Sequence, residues 1–403
     1  MDSQRFMGVY IHWPFCASKC PYCDFNSHVR ERVDEDAWGA AYEQAIDHYR
    51  ALIPDREVVS VFFGGGTPSL MKPQTVERIL QKIRSSWPSG QDPEVTLEAN
   101  PTSVDMGKFR DFRSAGVNRV SLGIQALDDE SLKFLGREHN SAEALRAIEV
   151  AQSCFERMSF DLIYARPGQT SDQWGRELEQ ALALARGHLS LYQLTIERNT
   201  PFYMRHSRGE FAIPDEVEGA ELYLLTQDIT ERAGLPAYEV SNHAAPGQEC
   251  LHNLIYWKYS DYIGIGPGAH GRFLLDGRKV ATRDHSAPEI WLERIGERGC
   301  GAHPHEEISH AAQMEEALMV GFRLNSGVGF KDFQERFGTH PLELIHRGNL
   351  ALAVEEGWVN LSDTRLSLTR EGLLRLNSLT AFLLLGVASA QKKTAGQSTS
   401  PAV

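Results

Sequence analysis

Residues 10–25 read YIHWPFCASKCPYCDF, and three cysteines, Cys16, Cys20 and Cys23, follow a short apolar run in C-x3-C-x2-C spacing. Half of the chain's six cysteines are crowded here rather than spread as a disulfide framework, and such crowding marks a metal or redox site. A structural zinc normally closes with four ligands. No fourth cysteine is at hand, because Phe25 stands two positions after the last one. A 4Fe–4S cluster accepts three thiolates and leaves one iron open to chelate a small molecule through an amine and a carboxylate. A zinc that borrows His12 or His28 is the alternative.

Outward from this loop, the apolar runs VYIHW, VVSVFFGG, VTLEA, RVSLGI, SFDLIYA and LSLYQLTI read as six strands. Helical stretches such as AWGAAYEQAIDHYRAL, SAEALRAIEVAQ and WGRELEQALALA lie between them. Strand–helix alternation with near-continuous apolar strands predicts an α/β fold with a parallel sheet covered by helices. Six units suggest a partial, six-fold parallel β/α barrel; an open doubly wound sheet is the second choice. Polar residues recur at the strand ends: the cysteine loop, GGGTPS (64–69), Glu98 and Gln125, with Asp161 inside the fifth strand. Loops at the C-terminal face of such a barrel converge on one site.

The first domain is expected over residues 1–285. Residues 286–385 read as a smaller helical, winged-helix-like C-terminal domain, and 386–403 as a disordered tail without aromatics. The net charge of −13 disfavours nucleic acid and anionic membranes as direct partners. It argues against a DNA-binding role for the C-terminal domain. The best apolar run, LTAFLLLGVA, is about half the ~20 residues a membrane span needs. MDSQRFMG carries no secretory core, so a cytoplasmic protein is expected.

C-x3-C-x2-C with Tyr22 before the last cysteine resembles the signature of the radical S-adenosylmethionine (SAM) superfamily. YIHWPFC, CPYCDFNSH, GGGTPSL, LEANP, GIQ, GREHN, DLIY and HNLIYWKYSDYIGIGPGAHG together resemble the oxygen-independent coproporphyrinogen III oxidase group, and within it the HemW-type haem chaperones. The likeness runs from residue 8 to about 380. It implies a 4Fe–4S cluster on Cys16, Cys20 and Cys23, bound SAM, and haem passed to an unidentified acceptor protein. Membrane association is implied only through that acceptor. Phe25 replaces the fourth cysteine of the oxidases, and their extended N-terminal segment is missing ahead of Cys16. Both features point from decarboxylation toward haem handling, unless Phe25 is merely a packed aromatic. A radical SAM oxidase or methyltransferase acting on a porphyrin is the rival reading.

By position, the resemblance implies that Tyr10 and the backbone around Tyr22 and Phe25 frame the cluster and the adenine. Gly64, Gly65, Gly66 and Thr67 meet the methionine end of SAM, and Glu98 meets its ribose. Gln125, Arg137 and Asp161 match contacts to a second SAM in the oxidases. His252, with Asn253, Tyr256 and Trp257, matches the H-N-x-x-Y-W motif and is the first candidate for a haem axial ligand. A buried core histidine is the alternative, and Cys250 is the second soft candidate. Where the family reads DLIYGLPGQT, this chain has DLIYARPGQT. Arg166 is therefore expected as a solvated surface arginine. GIGPGAHG (264–271) reads as a tight turn, since it lacks the Lys-Ser/Thr ending of a phosphate loop.

Overall fold

The computed structural model describes residues 5–87 and 92–385, so the tail expected over 386–403 lies outside the described residues. All six expected strands form: β1 (Phe6–Trp13), β2 (Glu57–Gly65), β3 (Glu94–Ala99), β4 (Arg119–Gln125), β5 (Arg157–Tyr164) and β6 (His188–Gln193). They pair in parallel, in chain order. Helices α1 (Glu35–Leu52), α2 (Pro73–Ser86), α3 (Met106–Ala115), α4 (Ser141–Cys154) and α5 (Ser171–Leu184) follow the first five strands in turn. Their starts are written in the sequence. Asp34 caps α1, while Asn140 with Glu143 and Thr170 with Gln173 form capping boxes on α4 and α5.

The two faces of the sheet decide between the expected architectures. On one face Val9, Ile11, Val61, Phe63, Leu97 and Leu122 are buried in a single core with Tyr42 and Ile46 of α1 and Ile79 and Ile83 of α2. The alternate positions are polar. Ser121 and Ser159 share a hydrogen bond of 2.9 Å, Ser121 donates to Asp161 at 3.4 Å, and Arg119 donates to Ser159 at 2.9 Å. A doubly wound sheet is apolar on both faces because helices cover both. A polar second face is the interior of a partial barrel.

Strand β7 (Asn242–Ala244) closes one edge, antiparallel to β6. Residues 251–283 extend the other edge. A short helix α6 (Leu251–Trp257) precedes a seventh parallel strand, β8 (Asp261–Ile265), which pairs with the free side of β1. Strands β9 (His270–Leu275), β10 (Arg278–Arg283) and β11 (Glu306–Glu307) continue the sheet antiparallel.

By chain contacts the first compact unit extends to Glu307, beyond the boundary expected at 285/286, and Ala237–Val240, Trp257–Tyr259 and the described residues from Ile308 to Leu385 form the second. Helix α7 (Pro288–Arg298) belongs to the first unit because Trp291 stacks on Trp38 at 5.4 Å and 7°. The second unit holds helix α8 (Phe330–Phe337), whose Phe330, Phe333 and Phe337 form a buried stripe, and helix α9 (Arg347–Glu355). Val359–Leu361 and Arg365–Leu368 form a hairpin, with Val328–Gly329 as a third strand.

Candidate functional site

Cys16, Cys20 and Cys23 are free thiols, half-buried on the loop after β1. Burial pushes the Cys16 and Cys23 thiols up, and the neighbouring Cys20 sulfur adds to both. Cys20 is thus an electrostatic neighbour of both. Hydrogen-bond donors already point at two of the sulfurs: Thr67 Oγ1 lies 3.4 Å from Cys16 Sγ, and an Arg137 nitrogen lies 3.2 Å from Cys20 Sγ. Three soft donors with such partners fit an iron–sulfur cluster. His12, a candidate fourth ligand for zinc, is committed elsewhere. Its Nδ1 bonds the Tyr10 hydroxyl and its Nε2 bonds Asn26 O, both at 3.0 Å.

The glycine run after β2 fits around this loop. A Cβ on Gly66 would lie 2.6 Å from the Phe15 carbonyl oxygen, and one on Gly64 would lie 2.9 Å from the Tyr10 ring. Gly65 has φ +111°, a left-handed conformation that suits glycine. Gly66 N–H donates to Trp13 O and Thr67 N–H to Phe15 O, so the turn fixes the start of the cysteine loop.

Tyr10, Glu98, Gln125, Arg137 and Asp161 come together at the C-terminal end of the barrel. Burial and the Asp161 charge push the Glu98 carboxyl up to about 8, against one opposing bond from Gly65 N–H at 3.2 Å. Burial likewise lifts Asp161 to about 6, against hydrogen bonds from Ser190 and Ser121 and the charges of Arg119 and Arg137. Tyr10 is held well above the phenol range by burial and by Glu98. Gln125 takes φ +74°, where the β4–β5 register shifts. Arg137 also donates to Gly123 O at 2.9 Å and approaches the Tyr22 hydroxyl at 3.4 Å. Phe25 is 59% exposed, which removes the reading of a packed aromatic.

His252 lies next to Tyr10, with ring centroids 6.3 Å apart. It is 1% exposed, with Nδ1 2.8 Å from Ser60 Oγ and Nε2 2.8 Å from the Tyr256 hydroxyl. Its ring stacks on Phe62 at 5.1 Å, and burial lowers its pKa to about 3. Neither ring nitrogen is open to iron in this conformation, so the placement favours the core-histidine alternative over the axial ligand. Cys250 is equally enclosed, its thiol 3.5 Å from Glu94 Oε1.

The family described as "Radical SAM superfamily" matches residues 10–181, and "HemN C-terminal domain" matches 308–375. The chain is 36% identical to "Heme chaperone HemW" of Escherichia coli (strain K12), covering 94% of this chain and 98% of that protein. It is 38% identical to "Radical S-adenosyl methionine domain-containing protein 1, mitochondrial" of Bos taurus, covering 95% and 88%. This chain belongs to the HemW family of radical SAM proteins. Coproporphyrinogen III oxidase (HemN) from Escherichia coli shares its fold, with a TM-score of 0.78 at 18% identity over 94% of this chain and 90% of that one.

Against the HemW pattern, the Ala165-Arg166 departure needs a correction. Arg166 is 6% exposed and is not a solvated surface residue. It pairs with both carboxylate oxygens of Glu177, and Asp128 lies at 3.7 Å. An apolar residue expected at this point in the family has become half of a buried ion pair. Ala165 takes φ +56°, which explains why glycine is expected there.

Two anchors of the cysteine loop escaped the sequence reading. Asn26 Nδ2 donates to Pro267 O at 2.8 Å and Ser286 O at 2.9 Å, tying the loop to the GIGPGAHG turn. On the other side a Cβ on Gly136 would meet Pro21 at 2.5 Å, and Phe202 N–H donates to Pro21 O at 2.9 Å. Asn26 and Gly136 both lie inside quoted motifs, CPYCDFNSH and GREHN, but nothing local told which partners they reach. Among the described residues, no helix is long and apolar enough to cross a membrane.

Proposed function

We propose that this chain is a haem chaperone that holds a 4Fe–4S cluster on Cys16, Cys20 and Cys23, binds SAM beside it, and passes haem to an acceptor protein. The observation that carries the reading is the anchored three-thiol loop in a chain whose relatives include named haem chaperones. When bound, such a cluster supplies a chelating iron and an electron to SAM. The chain's own residues do the positioning. Arg137 and Thr67 donate toward the sulfurs, and the glycine turn offers backbone to the methionine end of SAM. Glu98 accepts at the ribose, and Tyr10 closes the side of the cavity. Burial keeps Cys16 and Cys23 protonated when no metal is present, so loading the site releases protons.

A second reading, a radical SAM enzyme acting on a porphyrin, is favoured by the meeting of Arg137 and Asp161 in the barrel. Those positions match second-SAM contacts of the oxidases.

The test is anaerobic reconstitution. About four irons and four sulfides per chain are expected. Loss of both on replacing Cys16, Cys20 or Cys23 with Ala is expected, and retention with Cys154, Cys250 or Cys300 replaced. Stoichiometric zinc without iron uptake would overturn the cluster. Saturable haem binding, with haem delivered to an apo-acceptor, supports the chaperone. Turnover of coproporphyrinogen with SAM and reductant would transfer the case to the enzyme reading.

A further inference from the structure

One hydroxyl beside the three thiols is left over by the chain's own hydrogen bonding. Ser27, just after the last thiol in CPYCDFNSH, is 7% exposed, and its Oγ is buried without a hydrogen-bond partner. The large majority of buried side-chain polar atoms are paired, so an orphan asks for a partner that the chain itself does not supply. Thr67 and Arg137 are the two donors already assigned to the sulfurs, at Cys16 and Cys20. Cys23 is the remaining thiol.

The backbone around Ser27 is fixed from both sides. His28 and Val29 pair in parallel with Phe15 and Cys16, and His28 N–H donates to Pro14 O at 2.7 Å. Ahead of Ser27, Asn26 is tied to Pro267 O and Ser286 O, and its own carbonyl bonds His12 Nε2 at 3.0 Å. Lys19 stands between Cys16 and Cys20, and its Nζ donates to Phe25 O at 3.3 Å and to Ser27 O at 3.4 Å. A side chain held this way has little freedom to turn toward solvent. The thiols mark the direction it takes instead. Burial raises Cys16 and Cys23, and the Ser27 hydroxyl opposes that rise at both, together with Thr67 at Cys16 and the Phe25 backbone at Cys23. The orphan hydroxyl therefore faces two of the three expected ligands at once.

We propose that Ser27 tunes the 4Fe–4S cluster, its hydroxyl donating to a cluster sulfur between Cys16 and Cys23 and raising the reduction potential. The proposal rests on the cluster reading and deepens it with a residue outside the three ligands. A donor to a cluster sulfur stabilises the form with more negative charge, which is the reduced one. Serine suits the position because its hydroxyl rotates toward whichever sulfur comes nearest, thiolate or sulfide. With donors at Thr67, Arg137 and Ser27, the loop offsets part of the charge that three thiolates bring to the end of the barrel. Lys19 acts one step back, since the carbonyls it holds flank Asn26 and set where Ser27 stands.

The test is a potentiometric titration of the anaerobically reconstituted full chain, with the reduced cluster read by electron paramagnetic resonance. Ser27→Ala is expected to lower the midpoint potential by about 59 mV, a tenfold change in a one-electron equilibrium, at unchanged iron and sulfide content. Ser27→Thr keeps the hydroxyl and should keep the wild-type potential. If Ser27→Ala loads poorly, Ser27→Thr and Ser27→Val form a shape-matched pair, and Ser27→Val should carry the lower potential. A potential at or above wild type in Ser27→Ala, or equal potentials in the shape-matched pair, would overturn the proposal and leave the cluster standing. Loss of iron with the remaining clusters at the wild-type potential would overturn it too, because that is the mark of a hydroxyl that only holds the loop. Wild type that takes up no iron would bring down the cluster reading and this proposal together.

Discussion

Glu94 and Glu98 sit four residues apart on β3, both turned to the barrel interior, and they live in opposite chemical circumstances. Glu94, at the N-terminal end, is 5% exposed and fully partnered. Arg157 pairs with one oxygen at 2.5 Å, and Leu251 N–H donates to the other at 2.9 Å, so the carboxylate caps α6 beneath the barrel. Glu98, at the C-terminal end, accepts one backbone N–H and faces Asp161 across the cavity. One end of the barrel spends its charges on holding the helix that carries His252. The other leaves charges under-compensated beside three thiols, the condition in which a ligand gains most from binding.

The largest expected effect breaks the closed end. Glu94→Ala strands the Arg157 guanidinium and removes the acceptor at the start of α6, and should cost about 3 kcal/mol in urea unfolding. Cys16, Cys20 and Cys23 lie at the other end, so cluster loading of the folded fraction should match wild type. Unchanged stability, or a selective loss of cluster, would contradict the division between the two ends.

The open end should respond to pH. The folded-state pKa of Glu98 is raised from an ordinary 4.5 to about 8. Between these values the folded chain binds more protons than the unfolded one, so this group's contribution to stability is full below pH 4.5 and is lost as pH rises through 8. Glu98→Gln should therefore flatten the decline over that window and stabilise the apo chain by about 1–2 kcal/mol at pH 8, a figure kept low because the residue as a whole is only half-buried. Urea midpoints measured from pH 5 to 8.5 check it. A variant that tracks wild type across the range would show Glu98 to be ionised and satisfied, like Glu94.

The same contrast explains what was legible in the sequence. Cysteine spacing, glycine runs and strand periodicity are local, so Cys16, Gly64–Gly66 and Glu98 could be assigned to strand ends and Asp161 to the interior of the fifth strand. The chemistry of His252 was not local. Its motif names the residue, but Ser60 and Tyr256 decide that both ring nitrogens are occupied, and Ser60 comes from a strand almost two hundred positions earlier in the chain. Arg166 misled for the same reason: nothing beside it in the sequence announces that Glu177 returns one helix later to neutralise it.

The smallest expected effect tests whether the open end also stores backbone strain. Ala165 follows β5 directly and takes φ +56°, a conformation that costs a residue with a Cβ about 1–2 kcal/mol. Glycine escapes that cost but gives up about 0.5–1 kcal/mol more conformational entropy on folding. The difference predicts that Ala165→Gly stabilises the chain by about 0.5–1 kcal/mol, visible as a higher urea midpoint at an unchanged slope. The neighbouring Arg166–Glu177 pair supplies the control, since its geometry constrains the same turn. If Ala165→Gly destabilises instead, the buried ion pair depends on the stiffness of alanine, and the two departures from the family pattern work as one unit. Measuring the substitution again in Arg166→Leu would then separate the contributions: a coupled pair gives non-additive midpoints, whereas independent strain gives the same gain in both backgrounds.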